Sequence, residues 1–393
     1  MARNLLSIIN SEGLSSDLQE WKKCGRILFL SLVIPWCFLV LLGEWVSWQA
    51  GDWLSMAQAA RLQTTNPNLI WYRDRSANFA RFKLARVAIE RPDILIFGTS
   101  RTQFFRSAMF RPYSAYNLSS TCYLIPSFTD LLRHLPPGYN PKVIIMDCDF
   151  WLFNRVYTTG ITRDHRSQNF VPSWIDRLDD LRDILVQLPK HPSLLLMGLN
   201  HPFGYPTLGL GAYLQRFGFR KDGSSKWHDL PEKEDPARLK ALSEANMDYG
   251  DRMGSDEIKQ FEEFVSEVHA RGIALVCVQL PFYTEEVHNM QYEQKADFGE
   301  LQDFNDHVKN GYFDQLHVLF FDFLDLPGYS DKADYFLDAV HPKEGITLAV
   351  LSAMASDPRF LAILPKLDEA AMKGKLAQDQ QSPTHNDLYP NEY

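Results

Sequence analysis

Asp93-Ile94-Leu95-Ile96-Phe97-Gly98-Thr99-Ser100-Arg101 is a short apolar run that stops at a glycine and two hydroxyl residues. A run this short and this uniformly apolar predicts a strand covered on both faces, as in a parallel sheet. Two further runs have the same character, KVIIM at 142–146 and IALVCVQ at 273–279. Residues 126–135 have helical spacing, and 256–270 form an amphipathic stretch that ends at Arg271-Gly272, directly before the third run. The alternation predicts an α/β fold, a parallel sheet flanked by helices, beginning near residue 91 and extending to about 365.

The rhythm breaks between about 155 and 250, a stretch rich in Pro, Gly, aromatic and charged residues, which reads as a large insertion. Residues 49–90 have helical spacing and read as a juxtamembrane connector. Residues 366–393 read as a C-terminal tail, largely disordered, since AQDQQSPTHNDLYPNEY from Ala377 onward has few aliphatic residues.

Residues 27–43, ILFLSLVIPWCFLVLLG, carry no charge, and apolar residues resume after Glu44, so 27–48 reads as a transmembrane helix. Trp45, Trp48 and Trp53 fit an interfacial aromatic belt, and a bilayer helix tolerates Pro35. Lys22, Lys23 and Arg26 precede the span whereas Glu44 and Asp52 follow it. The positive-inside rule then places residues 1–26 in the cytoplasm as a tail and the rest outside, periplasmic or extracellular. The competing reading is a signal peptide cleaved near Ala57-Gln58-Ala59; the apolar run is longer than a typical signal core.

The chain has 393 residues, 45% of them apolar, and a net charge of -9. That size supports a substantial core, and the acidic balance argues against nucleic acid as a partner. Five cysteines lie scattered with no Cys-x-x-Cys pair, so neither a zinc site nor a disulfide framework is indicated, and no cofactor is called for. Cys148 and Cys277 fall inside apolar runs as small buried hydrophobes.

In an open parallel sheet, ligands bind where strands end. Gly98 permits a tight turn out of the first run, and Ser100 then stands where a helix can begin, its hydroxyl exposed and its amide free to face a developing oxyanion. A serine hydroxyl needs a base, and without one Ser100 reads as an ordinary helix cap. A base is available at Asp338-Ala339-Val340-His341-Pro342, ahead of an apolar helix-like run at 346–354. The carboxylate can orient the imidazole while the other ring nitrogen takes the serine proton.

Gly98-Thr99-Ser100 and Asp338-Ala339-Val340-His341-Pro342 together resemble the SGNH/GDSL hydrolase superfamily over about residues 90–360. The resemblance implies an SGNH-like (flavodoxin-like) sheet and a serine–histidine–aspartate triad of Ser100, His341 and Asp338. It also implies oxyanion donors at two further positions. There this chain has Ser119, whose backbone amide can donate, and Asp149, where the superfamily places an asparagine. An ionised Asp149 would repel an oxyanion. Three outcomes stay open: Asp149 turns away or is protonated, Asn154 or Arg101 donates instead, or the site does not perform ordinary ester hydrolysis. Divergent blocks beside an N-terminal anchor resemble the members that acetylate alginate or assist teichoic acid D-alanylation. That likeness implies an acyltransferase or esterase acting on an envelope glycan or polysaccharide, with the lipid bilayer and a membrane-bound O-acyltransferase as partners. The alternative is a non-catalytic protein of the same fold that binds polysaccharide or docks such an enzyme.

Arg216–Ser224 adds an Arg-rich, glycine-punctuated loop near Trp227, which makes Arg220, with Arg101, a candidate substrate contact. Asp222-Gly223 is equally a plain turn signal. His165, His201 and His228 have no fixed spacing to a partner.

Overall fold

The computed structural model describes residues 11–73, 76–155, 181–182, 184–199, 206–228, 250–293, 298–381 and 387–390. The chain divides into two compact units, Met1–Trp53 with Pro172–Asn200, and Leu54–Val171 with His201–Tyr393.

Among the described residues of the larger unit, nine short strands form two sheets: β1 (Ile70–Trp71), β2 (Ile94–Gly98), β3 (Ala115–Ser119), β4 (Val143–Asp147), β5 (Thr207–Leu208), β6 (Phe217–Phe219), β7 (Ser225–Trp227), β8 (Ala274–Gln279) and β9 (Leu319–Asp322). The main sheet has the order β3-β2-β4-β8-β9, and every neighbouring pair is parallel. The three apolar runs are β2, β4 and β8. The chain moves from β2 to one neighbour, β3, and then returns to the other, β4. The loops after β2 and β4 therefore diverge, and the switch point where such sheets form their ligand crevice lies between their carboxyl ends.

Alternate side chains of the main sheet enter two separate cores, as the period of two requires. Leu95, Phe97, Ile144, Met146 and Cys277 pack with the helices Ile125–Arg133, Ser255–Ala270 and Gly299–Lys309. Ile94, Ile96, Val143, Ile145 and Val278 pack with the helices Glu344–Ala355 and Glu369–Gln381. Both faces are covered, which is why these strands read as continuous apolar runs.

Two expectations need correction. Residues 54–90 are part of the larger unit rather than a connector. Their helices Met56–Thr65 and Ser76–Glu90 and strand β1 belong to a third apolar cluster, in which Trp71 stacks on Phe82 at 3.8 Å. The tail is also structured where it is described: Glu369–Gln381 is a helix, and Leu388 and Tyr389 are buried in the second core. Its polar composition hid sparse anchors, Met372, Leu376 and Tyr389, which suffice because the Tyr335 hydroxyl and the cations near Asp387 satisfy its carboxylates.

Within the region 155–250, strands β5, β6 and β7 join β1 in the second sheet, ordered β5-β1-β6-β7. Arg216–Ser224 is the β6–β7 hairpin, with Asp222-Gly223 as its turn and Gly223 at φ +79. His165 and His201 lie outside the described residues.

In the smaller unit, Ser11–Ala50 is one helix that contains Pro35. Its portion Glu20–Ala50, 31 residues or about 46 Å of helix, is apolar and long enough to cross a membrane. Ile34, Trp36, Phe38 and Leu41 are exposed on it, unlike the side chains of a soluble core helix.

Candidate active site

Ser100 begins a single 3-10 turn, Ser100–Thr102, immediately beyond β2. Gly98 is required there, because a β-carbon would run into the Thr102 side chain and stand 3.0 Å from Asp147 Cγ. Thr99 caps the turn and is held by Asp147 at the end of β4: its amide and its hydroxyl both donate to Asp147 Oδ2, at 2.9 and 2.7 Å. The residue before the serine is thus fixed by the neighbouring strand.

From the other end of the chain, the loop 335–343 brings His341 to the same place. Leu337 N–H donates to the His341 carbonyl at 2.9 Å, Lys343 N–H to the Tyr335 carbonyl at 2.8 Å, and Tyr283 N–H to the Ala339 carbonyl at 3.0 Å. Ser100 Oγ lies 2.7 Å from His341 Nε2. His341 Nδ1 lies 2.8 and 2.9 Å from the two oxygens of Asp338, and Oδ1 also accepts the amides of Val340 and His341. With Nδ1–H donating to Asp338, Nε2 is left as the acceptor for the serine hydroxyl. Burial works to raise the Asp338 carboxyl, but the His341 ring and the two amides outweigh it and hold the group at about 2. The carboxylate is therefore ionised at any physiological pH. Side chains 241 positions apart thus meet at hydrogen-bond distance, half-buried and open to a ligand.

The other predicted site residues are placed differently. The Ser119 amide is not available to an oxyanion, because it donates to Asn117 Oδ1 at 2.8 Å at the end of β3. The next amide, Ser120, is held by the carbonyls of Gly98 and Thr99. Asp149 is fully buried, with Arg101 Nε 2.8 Å from its Oδ2 and the Leu280 amide donating to its Oδ1. Burial raises its carboxyl, and the Arg101 charge opposes that shift. Asp149 has thus turned to an internal partner, the first of the three outcomes left open.

Arg101 is no substrate contact. It is buried, donates to the carbonyls of Leu280 and Pro281, and lies 3.8 Å over the Phe282 ring. Arg220 is buried as well, bonded to the Ser225 carbonyl and 3.3 Å from Asp387. Asn154 is fully buried, and a β-carbon on Gly250 would stand 3.4 Å from its Oδ1. His228 is exposed and bonded to Arg216. The Ser100 N–H, at the start of the 3-10 turn, meets no acceptor among the described residues.

Asp147 and Lys83 were not foreseen. Burial and the charge of Asp149 raise the Asp147 carboxyl. Lys83 is buried against Phe219 and donates to the carbonyls of Ser119 and Gly223, so it ties the end of β3 to the hairpin turn. Asp147 ends a strand beside the switch crevice, a position that could have marked it; nothing in ARFKLARVAIE marks Lys83 as an inward lysine. No group of His, Cys, Asp and Glu that could hold a metal ion occurs among the described residues. No protein-family model matches the chain, and a search among curated proteins finds no match.

Proposed function

We propose that this chain is a membrane-anchored serine acyltransferase or esterase of the SGNH type, with Ser100 as nucleophile, His341 as general base and acid, and Asp338 as the residue that orients His341. The observation that carries this reading is the chain of contacts Ser100 Oγ–His341 Nε2–Nδ1–Asp338, at 2.7 and 2.8 Å. An ordinary helix cap needs neither an imidazole nor a carboxylate behind it. The strand order, which is that of flavodoxin-like sheets, and the position of Ser100 at the switch crevice support the same assignment.

The chemistry follows from the contacts. Ser100 Oγ attacks an acyl carbonyl carbon as its proton passes to His341 Nε2, and Asp338 stabilises the imidazolium. Collapse of the tetrahedral adduct breaks the bond to the leaving group, which takes that proton and leaves Ser100 acylated. An acceptor hydroxyl or water then gives a proton to His341 and attacks the Ser100 ester, and the proton returns to Oγ. The Ser100 amide stabilises the oxyanion. Each donor missing from an oxyanion hole costs about 10²–10³ in rate, so hydrolysis of simple esters is slow. We assign the acceptor to an envelope or extracellular polysaccharide, on the likeness to anchored SGNH proteins and the helix Glu20–Ala50. Lys22, Lys23 and Arg26 on one side of the apolar run support, by the positive-inside rule, an outward-facing larger unit.

Turnover of an activated acetyl ester by the purified full chain tests this. Ser100→Ala and His341→Ala are expected to remove it to background. Equal turnover in all three proteins would refute the assignment. The engaged Ser119 amide and the Arg101–Asp149 pair favour a second reading, a non-catalytic protein that binds polysaccharide in the crevice. Unchanged glycan binding and full activity in cells for both variants would decide for it.

A further inference from the structure

The smaller unit contains a second apolar element. A helical turn at 184–187 closes through Leu188 N–H to the Ile184 carbonyl at 2.8 Å and His191 N–H to the Gln187 carbonyl at 2.9 Å. The chain then reverses into the 3-10 helix Pro192–Leu199, whose sequence is PSLLLMGL. Both arms of this hairpin rest on the helix Ser11–Ala50. At Gly43 a β-carbon would stand 2.5 Å from Leu181 Cδ1 and 3.7 Å from Ile184 Cγ2 and Leu185 Cδ2, so the small residue lets the two helical segments touch. Six residues on, Gln49 Nε2 donates to the Leu195 carbonyl at 3.3 Å.

Those two contacts fix the level of the hairpin along the helix. The span reads as 27–48, so Gly43 lies about 8 Å inside the edge of the hydrocarbon and Gln49 about 2 Å beyond it. The hairpin therefore lies where the hydrocarbon meets the headgroup layer. Trp45 and Trp48, paired at 5.3 Å, are exposed at the same level. On the hairpin, Val186 is 52% and Leu195 38% exposed, although the segment is among the most apolar in the chain. Lys190 is exposed at its turn, a cation suited to lipid phosphate.

We propose that residues 184–199 are a second membrane contact of this protein, a hairpin lying where hydrocarbon meets headgroups in the leaflet from which the helix Glu20–Ala50 leaves the bilayer, with Val186 and Leu195 in lipid. This rests on the reading of that helix as a membrane span.

The test uses the full chain in nanodiscs of phosphatidylcholine with a minority of phosphatidylglycerol. Val186→Cys and Leu195→Cys are made in a background of Cys24→Ser and Cys37→Ser, since those two cysteines are exposed and the other three are buried. An environment-sensitive fluorophore at each position is read against iodide in the water and against a nitroxide placed shallow in the lipid chains. The reference is Ile89→Cys, exposed in the larger unit. Both hairpin probes are expected to show several-fold weaker iodide quenching than the reference and strong quenching by the shallow nitroxide. Iodide access equal to the reference, or shielding from both quenchers as beneath a protein partner, would overturn the proposal. A probe on native Cys37, in a Cys24→Ser chain, separates the two readings. If Cys37 is lipid-shielded while the hairpin probes are not, only the hairpin proposal fails. Open access of iodide to Cys37 would sink the span itself.

Discussion

Asp338 accepts the His341 ring and two backbone amides at once, so it both aims the imidazole and closes the loop that carries it. Its carboxyl, near 3.8 when unperturbed, is held at about 2 in the folded chain. A lowered folded value gives stability that is fully present above pH 3.8 and is lost as pH falls through 2, worth about 2 kcal/mol. Asp338→Asn is expected to lack this acid-sensitive increment in denaturant unfolding between about pH 5 and pH 2; an unchanged acid slope would contradict the assignment. The residues of the proposed triad could be picked out in the sequence because proton relay admits few residue types and Asp-x-x-His is local. Their surroundings were not. Whether Asp149 faces a ligand or Arg101, and whether the Ser119 amide is free, depends on how β3, β4 and the loop after β8 end relative to one another.

At the level of elements, two buried charge arrangements make opposite contributions. Glu300, on the helix Gly299–Lys309, is buried; burial outweighs the Gly250 amide and, with Glu257 and Asp303 nearby, pushes its carboxyl up to about 9. A carboxyl raised from 4.5 in this way leaves stability intact below pH 4.5 and removes it as pH climbs toward 9. Glu300→Gln is therefore expected to unfold like the parent near pH 4.5 and to be more stable at pH 8 by roughly 5 kcal/mol. A destabilised variant at pH 8 would contradict this. Asp387 has the reverse role: it lies 3.4 Å from Arg106 and 3.3 Å from Arg220, and Lys226 also reaches it. Asp387→Ala leaves two buried guanidinium groups short of a counter-charge and is expected to cost about 2 kcal/mol in chemical denaturation, less than a fully buried pair because Asp387 is partly exposed. An effect below about 0.5 kcal/mol would mean that the tail is not a structural clasp. The long buried strands could be read from the sequence, because both of their faces are apolar. The two- and three-residue strands of the second sheet are too short for any period, and the tail is held by side chains far from it in sequence.

For the whole molecule, the sequence conveyed the α/β sheet and the apolar N-terminal helix, since each is a pattern repeated over many residues. It did not convey that residues 54–90 belong to the larger unit, nor that part of the region 155–250 joins the smaller one, because those are matters of tertiary contact. The proposed triad puts an activated nucleophile at the end of β2. Intact-mass analysis after treatment of the full chain with a fluorophosphonate tests it most directly. A single adduct is expected, localised by peptide mapping to Ser100, absent from Ser100→Ala and strongly slowed in His341→Ala. No adduct on the parent chain, or one that persists in Ser100→Ala, would contradict it.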